Sequence, residues 1–173
     1  LADRAASERR SLVIGFGNPG RLDDGLGPAL AARLESAPPP GVTVDSDYQL
    51  QVEDAESVSR HDLVIFADAA VAGPEPFGVG EVTPLHGVSF SSHSLGPGEV
   101  LGLAQDLFHA ATRGFALGIR GYTFNEFGER LSPDAVKNLR AAEEFLRAVL
   151  AHPDPAALLE RACRQSSLPP SSA

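Results

Sequence analysis

Two adjacent carboxylates, Asp23 and Asp24, end a glycine-rich turn, Gly15-Phe-Gly-Asn-Pro-Gly-Arg-Leu-Asp-Asp-Gly-Leu-Gly27, and stand where a helical pattern begins. A third, Asp68, closes the apolar run Leu63-Val-Ile-Phe-Ala67, and His93 sits in the polar stretch Ser91-Ser-His-Ser-Leu-Gly96. A glycine turn between a strand and a helix ordinarily receives a phosphate, because free N–H groups and the helix dipole favour an anion there. Two acids in that place reverse the preference and point to a cation. Two carboxylates and one imidazole form an oxygen and nitrogen donor set that suits a borderline divalent ion such as Ni²⁺ or Zn²⁺. The set leaves positions for water or a partner's groups. Each residue also has a plainer explanation. An acid at a helix start complements the macrodipole and caps N–H groups, although only one of two neighbours can cap. Asp68 suits a turn before Ala69-Ala70, and His93 suits an exposed loop. Of the other histidines, His61 precedes a strand, His109 lies on a helix, His152 flanks a proline, and His86 stays a candidate in a loop.

The surrounding pattern supplies elements to hold these groups. Ser11 to Gly17 reads as a short buried strand ended by glycine. Asp24 to Ser36 reads as a helix, with Leu26, Leu30 and Leu34 at intervals of four, and Pro38-Pro-Pro40-Gly41 breaks it. Val42 to Asp45 is a second strand, Gln51 to Arg60 a short helix, and Leu63 to Ala67 a third strand ending at Asp68. Val79 to Pro84 alternates as an edge strand, Gly98 to Thr112 is helical, and Phe115 to Tyr122 is a fifth strand. Ser132, a good N-cap ahead of Pro133, opens a helix running to about Leu150, and Ala156 to Ala162 has helical character. Ser166 to Ala173 is Ser/Pro-rich and expected to be disordered. Strands joined by helices predict right-handed crossovers and a parallel sheet covered on both faces. Sites in such sheets lie at the carboxyl ends of the strands, where strand order reverses. If the first and third strands are neighbours, Asp24 and Asp68 share that crevice.

Bulk composition narrows the function. The 173 residues predict one domain with a sizeable core, and 43% are hydrophobic. A formal net charge of −9, from 23 acids against 14 basic residues, argues against nucleic acid as a partner. The single cysteine, Cys163, allows neither an internal disulfide nor a cysteine metal cluster. The first ten residues form a polar arm without the apolar centre of a signal peptide. No run approaches the ~18 apolar residues of a membrane span. The expectation is a soluble, cytoplasmic monomer with no membrane partner. Residues 11–152 form its single domain, and 153–173 a partly disordered tail.

Taken in order, Gly15 to Gly27, Val64-Ile-Phe-Ala-Asp68-Ala, Ser92-His93-Ser-Leu-Gly96 and Leu131-Ser-Pro133 make the chain resemble the [NiFe]-hydrogenase maturation endopeptidases over roughly residues 11 to 150. The resemblance implies a three-layer α/β/α fold of the phosphorylase/hydrolase-like kind. Its five-stranded sheet would be mixed, mostly parallel, with one antiparallel strand. The activity implied is removal of a C-terminal extension from a hydrogenase large-subunit precursor after nickel insertion. By the same resemblance Asp24, Asp68 and His93 are the metal ligands and the catalytic group. The nickel arrives with the substrate as the recognition signal, and another divalent metal is able to occupy the site in isolation. Asp23 joins the catalytic candidates, either orienting the attacking water or supporting the turn. Asn18, Asp47 and Gln49 are candidates for substrate binding. The family's Asp-Gly-Gly-Thr segment is replaced here by Asp47-Tyr-Gln-Leu50, a departure resembling proteases that serve soluble, NAD-reducing hydrogenases. The metal would polarise the scissile carbonyl or lower the pKa of a water. No Gly-x-Ser-x-Gly elbow offers a serine nucleophile, and Cys163 lies outside the matched region.

Three rivals share parts of this pattern. Gly15, Gly17 and Gly20 spell G-x-G-x-x-G, the mark of a nucleotide-binding Rossmann-like domain, but Asp23 and Asp24 would repel a pyrophosphate. Peptidyl-tRNA hydrolase resembles the Gly-Phe-Gly-Asn-Pro-Gly strand end, yet its catalytic histidine has no counterpart between Arg21 and Gly27. A metallochaperone that binds the precursor without cutting it is the non-enzymatic alternative.

Overall fold

In the computed structural model, residues 9–87 and 95–166 are described. The strands are β1 (Ser11–Phe16), β2 (Val42–Asp47), β3 (Leu63–Ala70), β4 (Phe77–Glu81) and β5 (Arg113–Arg120). The helices are α1 (Leu26–Ser36), α2 (Asp54–Ser59), α3 (Pro97–Phe108), α4 (Pro133–Ala151) and α5 (Pro155–Gln165). The sheet order is β2-β1-β3-β5-β4, parallel except that β4 runs antiparallel to β5. This is the mixed five-stranded sheet expected from the sequence. Helices cover both faces. Val13, Ile65, Phe115 and Leu117 meet α1, α4 and α5, while Leu12, Ile14, Val64 and Phe66 meet α2 and α3. Burial on both faces explains why β1 and β3 read as unbroken apolar runs instead of alternating.

Several boundaries differ from the sequence expectation. β3 does not stop at Asp68. It continues to Ala70, because Asp68, Ala69 and Ala70 pair with Gly118, Ile119 and Arg120 of the equally long β5. A 3₁₀ turn, Leu22–Gly25, carries Asp23 and Asp24 ahead of α1, so the helix starts two residues after Asp24. β4 lies two residues earlier than the alternation suggested. α3 ends at Phe108 because His109 adopts a left-handed conformation with φ 53°. Thr112, expected inside that helix, instead donates its hydroxyl to the carbonyls of Val58 and His61 and fixes the entry to β5. Beyond residue 152 the chain forms α5, capped by the Asp154 side chain, with Leu159 buried in the core. The last seven residues, 167–173, lie outside the described residues.

The sheet order fixes where a site can form. From β1 the chain moves outward to β2, then crosses back past β1 to β3, so the order reverses between β1 and β3. The glycines of the first turn let α1 sit directly on this reversal. A Cβ on Gly27 would overlap the carbonyl oxygens of Phe16 and Ala67, which bear on the ends of β1 and β3. Gly17, at φ 138°, occupies a conformation that favours glycine, and a Cβ there would overlap the Asp24 carbonyl oxygen. The glycines thus serve a close helix-to-strand approach, where the Rossmann reading wanted a phosphate cradle. Gly27→Ala should destabilise the fold by about 2–3 kcal/mol through overpacking, seen as a lower urea midpoint.

Candidate functional site

Asp24 and Asp68 come together as their strands do. Asp24 accepts a hydrogen bond from the Asn18 main-chain N–H at 2.9 Å, and the Asn18 side-chain oxygen accepts one from Gly20 N–H at 2.9 Å. The turn is thereby folded on itself, with the Asp24 carboxylate held against its opening. Asp68 accepts a hydrogen bond from Ala69 N–H at 2.7 Å. Both carboxylates line a cleft of about 450 Å³ at the carboxyl ends of β1 and β3, together with Asn18, Arg21, Tyr48 and Gln49. Neither takes part in an ion pair among the described residues. Burial pushes the Asp68 carboxyl up to about 7; the Ala69 N–H opposes the shift and the charge of Asp24 adds to it. Two carboxylates facing one cleft, neither of them ion-paired among the described residues, form a donor set that a divalent cation would satisfy.

Asp23 behaves differently and corrects the expectation that it joins the catalytic groups. It is fully buried. One oxygen accepts from the N–H groups of Tyr122 (2.8 Å) and Thr123 (3.0 Å) and from the Ser132 hydroxyl (2.7 Å); the other accepts from Ser132 N–H (2.7 Å). Burial alone would raise its pKa, but the Ser132 hydroxyl and the N–H groups of Ser132, Tyr122 and Thr123 outweigh it and hold the carboxyl below its usual 3.8. Both oxygens are therefore spent on the β5–α4 loop and the start of α4. Of its two open roles, Asp23 takes the supporting one.

The three substrate-binding candidates also divide. Asn18 and Gln49 line the cleft. Asp47 is not among the lining residues: its carboxylate accepts from Tyr48 N–H (2.7 Å) and the Gln51 side chain (3.2 Å), and its carbonyl accepts from Gly17 N–H (3.1 Å). It stitches the end of β2 to the end of β1. His93 lies outside the described residues, while Leu95, two positions on, lines the cleft and bridges to Leu50. Among the described residues no three His, Cys, Asp or Glu side chains gather as a metal-holding group. His86 pairs with Asp106 at 2.9 Å, and His61 contacts the Ser57 carbonyl and the Thr43 hydroxyl, so both are engaged away from the cleft. Burial and the nearby Glu81 raise the Cys163 thiol above its usual pKa, the opposite of an activated nucleophile. Sequence reasoning missed Tyr48 and Arg21 as cleft residues. Their signal was position alone, each just beyond the end of a parallel strand.

No protein-family model matches the chain, and no curated protein matches it in sequence. Solved structures do. The chain is similar to a [NiFe] hydrogenase maturation protease, HycI, from Thermococcus kodakarensis, at a TM-score of 0.66 and 22% identity, over 87% of this chain and 97% of that one. It is also similar to the hydrogenase maturating endopeptidase HybD from E. coli, at 0.64 and 22% over 82% and 91%. A third likeness is to hydrogenase 2 maturation peptidase from a Thaumarchaeota archaeon, at 0.58 and 19% over 82% and 97%. These likenesses establish the fold.

The contrast between the acids is measurable without any substrate. Asp23→Ala leaves buried donors unpaired and should cost about 3–5 kcal/mol of stability, whereas Asp24→Ala should change it by less than ~1 kcal/mol. Asp68 carries the opposite sign. Between its unfolded pKa of 3.8 and about 7 the folded chain keeps a proton that the unfolded chain has lost, so its contribution to stability falls as pH rises. Stabilities from urea unfolding should show Asp68→Asn gaining on the wild type from pH 4 to pH 7 and levelling off above that.

Proposed function

We propose that this chain is an endopeptidase that removes the C-terminal extension of a [NiFe]-hydrogenase large-subunit precursor once nickel has been inserted. The observation that carries the reading is the convergence of Asp24 and Asp68, from neighbouring strand ends and without an ion-pair partner among the described residues, on one cleft in a fold shared with such proteases. On this reading the nickel belongs to the substrate and is recognised by Asp24, Asp68 and His93. Asp68 exchanges its proton for the cation, which is how a carboxyl held near neutrality by burial comes to bind a metal. The metal supplies Lewis-acid polarisation of the adjacent carbonyl, and water attacks. Another divalent ion would occupy the same donors in the isolated protein. Asn18 and Gln49, on the cleft wall, contact the substrate chain. Tyr48 and Gln49 lie in the segment that departs from the family's glycine pattern, which supports the subgroup serving soluble, NAD-reducing hydrogenases. The enzyme would act as a cytoplasmic monomer; no helix among the described residues is long and apolar enough to cross a membrane.

Incubation with nickel-loaded precursor tests this directly. The precursor should lose the mass of its extension, and Asp24→Ala, Asp68→Ala and His93→Ala should each slow the loss by more than about a hundredfold while keeping a cooperative unfolding transition. Binding without any mass change would favour the metallochaperone, and full activity in all three variants would overturn the site.

A further inference from the structure

The carboxylate cleft continues past Asp68 into a second cavity of about 620 Å³, and Asp68 and Phe16 line both. Phe66, Val82 and Pro97 stand on the walls of this trough. Its floor is almost free of side chains. Cross-strand register sets Ala116 of β5 between Phe66 and Gly80, and Gly118 beside Asp68, and residues side by side in a sheet share a face. A Cβ built on Gly80 meets nothing within 4 Å among the described residues, so there is room above the floor at that point. The two ionisable acids on the lining are Asp68 and Glu81, and Glu81 is already paired with Arg113 at 2.6 Å. With no cation on its lining among the described residues, the trough offers no counter-charge to a phosphate, a free carboxylate or a lipid headgroup. Its volume lies within the ~300–1,000 Å³ of sites that enclose a ligand of short-peptide size.

We propose that this trough is the subsite for a neutral, apolar stretch of the substrate polypeptide next to the bond cut at Asp24 and Asp68. The inference rests on the protease reading above. A chain anchored at the two carboxylates must leave the cleft along one flank, and at Asp68 it passes directly onto the bare floor of β5 and β4. The lining selects uncharged, apolar side chains, which pack against the partly exposed Phe16, Pro97 and Ala116.

Gly80 allows a direct test, because a Cβ there meets no described neighbour within 4 Å and a longer side chain extends from it into the trough. The ¹⁵N-labelled full chain is titrated with the end-blocked peptide acetyl-Ala-Val-Leu-Val-Ala-amide, and with a version carrying glutamate in place of its leucine. The apolar peptide should shift the amides of Gly80, Ala116 and Gly118 saturably, and the acidic one should not. Gly80→Ala should retain the shifts and Gly80→Leu should lose them, at an unchanged thermal midpoint. Absence of saturable shifts in the wild type, or equal shifts in Gly80→Leu, would overturn the proposal. On nickel-loaded precursor, Gly80→Leu should lower kcat/KM at least about tenfold, mainly by raising KM, and an unchanged value would also overturn it. An uncut precursor with the peptide still bound at these three amides would sink the protease reading while supporting the trough as a peptide site.

Discussion

Burying a carboxylate is costly unless donors surround it, and Asp23 meets four. All come from residues 99 to 109 positions further along the chain. The glycine turn is therefore fastened to the exit of β5 and the start of α4 by a charge that cannot be released to water. Main-chain bonds extend the fastening: Leu22 N–H donates to the Gly128 carbonyl and Gly128 N–H to that of Gly20. They hold Leu22 at φ 53°, a conformation that leucine rarely adopts. With the turn fixed from this side and seated on β1 and β3 through Gly17 and Gly27, Asp24 has a defined position from which to face Asp68.

The neighbouring acids show how strongly environment outweighs residue type. Asp23 and Asp68 are both removed from water, yet their pKa values move in opposite directions. The difference lies in the donors, since Asp23 has four and Asp68 has one main-chain N–H and a second carboxylate nearby. On the proposed reading, a cation arriving with the substrate would benefit from this imbalance. An acid already satisfied by its own protein has little to offer a metal, whereas one held in an unfavourable state gains from its arrival.

Local patterns made the fold readable. The unbroken apolar runs of β1 and β3, the Pro-Pro-Pro-Gly break after α1 and the Ser132-Pro133 helix start each state their structure within a few residues. Asp24 and Asp68 were readable too, because their strand ends lie at the topological reversal. Other features depend on distant partners. Nothing near Asp23 signals that Tyr122, Thr123 and Ser132 will enclose it, so two adjacent aspartates look equivalent in sequence. Asp68 looked like a strand terminus because the residues after it are alanines; the length of β5 decides that the ladder continues. Asp47 looked available for the same reason, its bonds to Tyr48, Gln51 and Gly17 being set only once β2 docks on β1.

Helix α5 packs against β4, the outermost strand on its side of the sheet, and the Val79 N–H that would otherwise point outward donates to the Ser166 hydroxyl at 3.2 Å. An uncovered sheet edge is a template on which a second chain can add a strand. Helix α5 thus covers a short, glycine-containing edge strand whose open N–H and C=O groups a second chain could otherwise reach. The cleft lies at the carboxyl ends of β1 and β3, whereas the trough reaches β4 and has Cys163 of α5 on its lining. The segment after residue 152, expected as a tail, in this way becomes a structural wall along the β4 edge of the sheet, with Leu159 anchored in the core.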